Sequence, residues 1–150
     1  MPLLIAAKES LDWGSLIFVK NLNGDAVARS DGKLLQNYSE REYFKQIMSG
    51  QKMGQQVLIG KSAPVPLHCL AVPINKNKVG EQMVGIITQC STLLSISDYI
   101  KSSSFSQSGY TFLVDNKKRL IPTGDNTFKL AQNLQDFSSH PALNLKDNDL

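Results

Sequence analysis

The sequence has little of what would assign it to a specialised class. Cys69 and Cys90 are the only cysteines in 150 residues, too few for a disulfide framework or a multi-cysteine zinc site, and they leave the redox compartment open. The apolar run at residues 3–7 is shorter than the ~7 residues of a signal-peptide core and far shorter than a membrane span. We therefore expect no targeting or transmembrane segment within these residues.

Charge is also sparse. The chain carries 16 Lys and Arg against 13 Asp and Glu, a formal net charge of +3, and its basic residues are scattered except at 117–119. This diffuse pattern argues against a nucleic-acid partner. With 41% hydrophobic and 19% charged residues, the composition is that of an ordinary globular domain that buries a core.

Catalytic motifs are missing as well. The sequence contains no Gly-rich phosphate loop, no His-Glu-x-x-His and no Gly-x-Ser-x-Gly. Cys69 or Cys90 could combine with His68 or His140, but no recognisable motif surrounds any of them. The adjacent His68 and Cys69 point to opposite faces of a strand and cannot act as a local nucleophile and base. We expect neither catalysis nor a cofactor.

The clearest local signal is a hairpin near the N-terminus. Residues 16–29, "LIFVKNLNGDAVAR", place two short apolar runs around Asn23-Gly24. Glycine accepts the positive φ that such a turn requires. The pattern predicts strands near 15–20 and 25–30.

The stretch "YSEREYFKQIMSG", residues 38–50, is typical of a short helix. Ser39 and Glu42 have the spacing of a capping box, and Gly50 is a C-terminal stop signal. We predict a helix over about 40–49, with one apolar face formed by Phe44, Ile47 and Met48.

The remaining patterns alternate strands with one more helix. A helix over 91–102 is predicted with Ser91 or Thr92 as its cap. Strands are predicted at 55–62, 66–74, 83–90, 110–115 and 119–123. Because both parities of 66–74 and 83–90 are largely apolar, these two strands should be central and covered on both faces.

Two segments share a pattern of strand, polar turn, apolar pair and Gly/Asp-rich exit. They are "IFVKNLNGDAVARSDG" and "TFLVDNKKRLIPTGDN", separated by roughly 95 positions. One interpretation is two tandem modules, the second cut short after about 40 residues. The alternative is a coincidence of two hairpins.

The order of these elements resembles the Cache sensor family, in particular the double-Cache extracytoplasmic domains of bacterial chemoreceptors, sensor kinases and cyclases. The resemblance covers about residues 10–140. It is carried by the motifs "NGDAVARS", "REYFKQIMSG", "AVPI", "VGII" and "FSQSGYTFLVDNKKRLIPTGD".

The resemblance implies a PAS-like α+β fold with a central antiparallel sheet flanked by helices. Residues 1–13 would be the remnant of a long N-terminal helix, 14–104 the membrane-distal module, and 105–150 the start of an incomplete membrane-proximal module. A small ligand would lie between the sheet and the short helices of the distal module. The parent receptor would be embedded in the plasma membrane with this part outside the cytoplasm, and would form a homodimer through the N-terminal helix.

The resemblance also implies a binding site at the start of the predicted helix. In amino-acid-binding members an arginine and a following aromatic pair hold the ligand carboxylate, and Arg41, Tyr43 and Phe44 match these positions. A guanidinium suits this task because it can hold a carboxylate bidentately. However, Gln36 and Cys90 stand where the family has a tyrosine and the aspartate that binds the ligand's ammonium. An unpartnered buried ammonium is costly, so we expect a small anionic or modestly polar ligand rather than an α-amino acid.

Further candidates lie on the predicted strands. Lys61 shares strand parity with Ile59 and could neutralise an anion, or could be an exposed strand-end lysine. His68 could line the pocket or face solvent. The predicted ligand-binding set is Arg41, Tyr43, Phe44, Ile59, Lys61, His68, Leu70 and Cys90. The rival hypothesis is a PAS-like interaction or dimerisation module without a ligand, or a truncated remnant that binds nothing. In that case side chains such as Tyr43 and His68 fill the pocket.

Overall fold

The computed structural model describes residues 2–10, 16–61, 65–77, 82–93, 96, 112–121 and 134–144. The elements in chain order are α1 (Pro2–Glu9), β1 (Leu16–Lys20), β2 (Ala26–Arg29), α2 (Glu42–Met48), β3 (Gly54–Ile59), β4 (Pro66–Asn75), β5 (Met83–Thr92), β6 (Leu113–Val114), β7 (Arg119–Ile121), β8 (Gln135–Asp136) and a 3-10 turn at Pro141–Leu143. Within these ranges no helix is long and apolar enough to cross a membrane.

The architecture is α+β, as predicted. One sheet has five strands in the order β2-β1-β5-β4-β3, and a second has three in the order β6-β7-β8. The pairs β1 with β2, β1 with β5, and β4 with β5 are antiparallel. The predicted central strands β4 and β5 are internal to the five-stranded sheet, and β2 and β3 form its edges.

The chain divides into two compact units. One comprises Met1–Val57 and Leu67–Thr92, and the other comprises Leu58–Pro66 and Leu93–Leu150. The first unit holds α1, α2 and most of the five-stranded sheet, and the second holds the three-stranded sheet. In the second unit the carboxylate of Asp115 accepts hydrogen bonds from the backbone N–H groups of Lys117 and Arg119, both at 2.9 Å, and so closes the turn between β6 and β7.

Strand pairing defines a buried face of the five-stranded sheet. Phe18 on β1 lies opposite Thr88 on β5 and Arg29 on β2, and Cys69 on β4 lies opposite Cys90. Paired residues of an antiparallel sheet point to the same side. All five residues are buried, and we call this side of the sheet the inner face. Helix α2 packs on it through buried Tyr43, Phe44 and Ile47.

The predicted hairpin is confirmed. Its strands run 16–20 and 26–29, against predictions of 15–20 and 25–30. Gly24 adopts φ +87° in the turn, and a Cβ at this position would lie 2.7 Å from the backbone nitrogen of Ser39. A side chain is therefore excluded there by conformation and by space.

The predicted helix over 40–49 is present but shorter, at Glu42–Met48, and its predicted cap is wrong. The helix begins at Glu42, too far along the chain for Ser39 to be its N-cap, and the Ser39 hydroxyl donates to Oδ1 of Asn37 at 2.6 Å. Arg41 occupies the N-cap position without a side-chain cap bond. The apolar face was also misassigned in part, because Met48 is exposed and Tyr43 is buried in its place.

Strand β5 extends two residues beyond its prediction. Ser91 and Thr92, predicted as a helix cap, pair with His68 and Leu67 of β4. Tertiary pairing has here overridden a local capping preference. Of the remaining residues of the predicted 91–102 helix, Leu93 is in a bend, Ile96 is helical, and 94–95 and 97–102 lie outside the described residues. Strands over 113–114 and 119–121 match the core of the last two predictions; Phe112 and Asp115 are described and are not in a strand, while 110–111 and 122–123 lie outside the described residues.

Candidate functional site

The inner face carries a buried lysine. Lys20 follows Phe18 at the strand period of two, so both side chains lie beneath α2. Lys20 has 0% of its surface exposed. Its Nζ donates a hydrogen bond to Oγ1 of Thr88 on the neighbouring strand.

Three aromatic rings surround this ammonium. The Lys20 Nζ lies 4.3 Å from the ring centroid of Phe18, 4.6 Å from that of Tyr43 and 5.9 Å from that of Tyr38. We call these three rings the aromatic cage. In the described part of the chain no carboxylate forms an ion pair with Lys20. Burial lowers the pKa of Lys20 from 10.5 to about 7, while the ring faces favour its charged form.

A second buried cation, Arg29, is neutralised within the protein. Its Nε donates to Oδ1 of Asp31 at 2.9 Å and its second terminal nitrogen to Oδ2 at 2.8 Å, a bidentate pair. The hydrogen bonds to Asp31 raise the pKa of Arg29, and the same bonds lower the pKa of Asp31. Its remaining terminal nitrogen donates to the Tyr38 hydroxyl. Arg29 thereby holds one ring of the aromatic cage in place.

Helix α2 is fastened to the edge strand β3 at both ends. Oε1 of Gln56 accepts the backbone N–H of Glu42 at 2.9 Å, which satisfies one of the free donors at the start of the helix. Near its end, Oε1 of Gln46 accepts the backbone N–H of Gln55 at 2.7 Å. These bonds fix the height of α2 above the sheet.

Close backbone packing sets the position of Tyr43. A Cβ on Gly54 would overlap the carbonyl oxygen of Tyr43, so only glycine allows β3 to approach α2 this closely. The Tyr43 side chain is 1% exposed, and burial raises its pKa. The nearby Arg41 guanidinium acts in the opposite direction.

Arg41 stands at the rim of this site. Its side chain is 17% exposed, and its Nε lies 3.7 Å from Oε1 of the more exposed Glu40. That separation is too long for a hydrogen bond. In the described part of the chain the Arg41 guanidinium makes no other ion pair and no hydrogen bond. Its donors thus remain available to a ligand.

The structure does not bring all eight predicted residues to one surface. Tyr43 and Phe44 are buried on α2, with Arg41 just before it. Cys69 lies on the inner face, where it pairs with Cys90. Successive residues of a strand point to opposite faces, so His68 and Leu70 both lie on the other face of the sheet. Ile59, half-buried, and Lys61, exposed, belong to the second unit.

Cys90 has no thiol to offer a ligand. It forms a disulfide with Cys69, directly opposite on β4, with a Cα–Cα distance of 4.0 Å. The sequence left the state of both cysteines open, since it shows two adjacent apolar strands but not which residues face each other. Cys90 lies on the inner face as part of this disulfide, and its contact with a ligand stays a prediction.

The sequence reasoning missed Lys20 and Thr88. In "LIFVK" the lysine looks like an exposed strand end, although its parity with Phe18 was a usable signal that it shares the buried face. Thr88 gave no signal by itself, because its role depends on the pairing of two strands separated by 68 residues in sequence.

No protein-family model and no curated protein matches the sequence. Solved structures do match its fold. The sensor domain of the V. cholerae histidine kinase DctB is 18% identical, with a TM-score of 0.63, covering 79% of this chain and 45% of that one. The ligand-binding domain of the Pseudomonas aeruginosa PAO1 amino-acid chemoreceptor PctC, in complex with GABA, is 15% identical, with a TM-score of 0.60, covering 87% and 56%.

A third similar structure is that of methyl-accepting chemotaxis protein X, which is 14% identical with a TM-score of 0.63, covering 85% of this chain and 57% of that one. The chain thus spans about half the length of these domains. At such identities the likeness establishes the fold and leaves the ligand to be argued from the site.

Proposed function

We propose that this chain, which has the Cache-type, PAS-like fold of bacterial sensor domains, is the ligand-binding module of a transmembrane signal-transduction receptor. The parent would be of the chemotaxis, histidine kinase or cyclase type. Its ligand is a small anionic or modestly polar molecule bound beside α2. The observation that carries this proposal is the pair of cations next to Tyr43: neither Lys20 nor Arg41 has a carboxylate within hydrogen-bonding distance among the described residues.

A carboxylate ligand suits these two cations. Arg41 can hold it bidentately from the rim, and a negative charge near Lys20 offsets the desolvation of the buried ammonium. A free amine on a ligand would not be stabilised in this way, because the nearby carboxylate of Asp31 is already bonded through both oxygens to Arg29. The site therefore favours ligands with negative or no charge.

Signalling by this module requires binding energy and no chemical step. A ligand shifts a conformational equilibrium only by its different affinity for two states, so it must contact an element that moves. Helix α2 is that element in our proposal, since Arg41 begins it. The terminal helices would carry the movement to an output domain, and the chain is not an enzyme.

The disulfide supports an extracytoplasmic location, because such bonds persist in oxidising compartments. We place residues 14–104 in the membrane-distal module and 105–150 at the start of the proximal one; the boundary near 104 lies outside the described residues. A homodimer through the N-terminal helix fits the apolar surface of α1, where Leu3 is 83% exposed. No nucleic-acid partner is proposed.

A thermal-shift screen of small carboxylates, amines and purines tests the function. A ligand at 100 times its dissociation constant adds ~2.7 kcal/mol to the free energy of unfolding. We expect carboxylates to stabilise the wild type and to lose that effect in Arg41→Ala. Lys45→Ala is the matched control, because Lys45 is exposed on the same helix. Hits that survive Arg41→Ala unchanged would place the ligand elsewhere.

One observation favours the rival interaction module. Tyr43 and Lys20 are almost wholly buried, so protein side chains fill the space between α2 and the sheet. If no compound stabilises a folded sample and the chain dimerises in solution, the interaction module is the better description.

A further inference from the structure

We infer that Lys20 is the specificity determinant of this site: its terminal amino group occupies the aromatic cage, so that the site accepts carboxylates and rejects organic cations. This inference rests on the proposed function, because it assumes that ligands bind beside α2. It assigns a role to a strand residue that the sequence motifs did not single out.

The geometry is that of a cation-recognition site whose cation comes from the protein. Groups of aromatic rings bind ammonium ions through their negative faces, at up to ~6 Å from the ring centroid. All three rings of the aromatic cage meet this distance for the Lys20 Nζ. Thr88 holds the same nitrogen from the sheet side. The side chain therefore already fills the position that an external amine would need.

The surrounding charges act in the same direction. Arg29 on β2, 5.9 Å from the Phe18 ring, is paired with both oxygens of Asp31, so the carboxylate of Asp31 is already engaged. The other titratable groups facing Lys20 are the phenols of Tyr38 and Tyr43. Burial raises the pKa of Tyr43, so it supplies no negative charge at neutral pH. An incoming ammonium would find the cage filled and no free carboxylate in this part of the described structure.

Removing the lysine side chain should reverse the preference. Lys20→Ala deletes three methylene groups and the ammonium, which together correspond to propylammonium. The vacated cage keeps its rings and Thr88. We expect propylammonium to bind this variant and to restore part of its thermal stability, and butyrate, which carries the same propyl group on a carboxylate, to bind it at least 10-fold more weakly than it binds the wild type. Lys20→Met, which fills the cage without a charge, should bind neither probe.

The experiment is calorimetry and thermal unfolding of wild type, Lys20→Ala and Lys20→Met with propylammonium chloride and sodium butyrate. Wild type should respond to butyrate and not to propylammonium. If wild type binds propylammonium, or if folded Lys20→Ala ignores it, the inference is wrong. Should Lys20→Ala unfold by itself, refolding in propylammonium but not in butyrate supports the inference, and refolding in neither overturns it.

The two proposals fail in different ways. If wild type binds neither butyrate nor any other carboxylate, the proposed function fails, while rescue of Lys20→Ala by propylammonium would still show that the cage selects a cation. If wild type binds carboxylates and folded Lys20→Ala binds them equally well, the function stands and Lys20 is not its determinant.

Discussion

The buried ammonium of Lys20 predicts an unusual dependence of stability on pH. Its pKa is about 7 in the folded protein and 10.5 in the unfolded chain. Between these values the unfolded chain binds a proton that the folded protein does not, so the free energy of unfolding must rise with pH. For one group the slope is about 1.4 kcal/mol per pH unit. Between pH ~7 and ~9.5 this amounts to roughly 3 kcal/mol.

Two other effects limit the size of this rise in stability and the pH range in which it occurs. The cation–π contacts favour the charged form of Lys20, which raises its pKa and makes the rise in stability smaller than roughly 3 kcal/mol. Above pH ~10 the raised pKa of Tyr43 reverses the sign, because the unfolded tyrosine then loses its proton first. Asp31, whose pKa the Arg29 hydrogen bonds lower, titrates only in acid.

Urea unfolding at several pH values across this range measures the effect. Wild type should gain stability with pH, and Lys20→Met should show no such gain because it lacks the titrating group. Lys45→Met, at an exposed position of α2, should behave like wild type. If wild type and Lys20→Met show the same slope between pH ~7 and ~9.5, the burial argument for Lys20 is refuted.

Three further predictions concern the elements that hold the site. Gly54→Ala should lower the free energy of unfolding by on the order of 2–4 kcal/mol in urea titrations, since a Cβ would overlap a carbonyl oxygen of α2; an unchanged midpoint would contradict the close packing. Replacing Cys69 and Cys90 together by alanine should cost ~3 kcal/mol, as should reduction of the wild type, because the closed loop spans 21 residues; no change on reduction would mean that the bond is absent. Tyr38→Phe should cost ~1–3 kcal/mol by depriving buried Arg29 of an acceptor, and equal stability of the two proteins would exclude that role.

Local signals in the sequence were sufficient for much of the fold. The Asn23-Gly24 turn predicted its hairpin because the positive φ of Gly24 is a strictly local requirement. The helix ended as predicted before Gly50. Its cap was mispredicted because the helix begins only at Glu42, with Arg41 at the N-cap, and Gln56, distant in sequence, accepts the Glu42 N–H.

The site was less predictable, because it depends on which residues of different strands face each other. Arg41 and Tyr43 could be singled out from a motif on one helix. The parity of Lys20 with Phe18 indicates a shared face, but the partners of Lys20 follow only from the position of its strand beside β5 and below α2. His68 and Cys90 were predicted in one site, but they lie on opposite faces of the sheet. That depends on the register of β4 against β5, which periodicity alone does not give.

The disulfide between β4 and β5 has one more consequence, for the fidelity of the sheet rather than for its stability. A slip of one residue between two strands exchanges the side chains of their two faces. With Cys69 covalently joined to Cys90, β4 and β5 cannot slide past each other even while their hydrogen bonds open briefly. Thr88, two residues before Cys90, therefore stays on the side of the sheet where it accepts the hydrogen bond from Lys20. The disulfide therefore keeps the same residues of β4 and β5 on the inner face when the sheet opens locally.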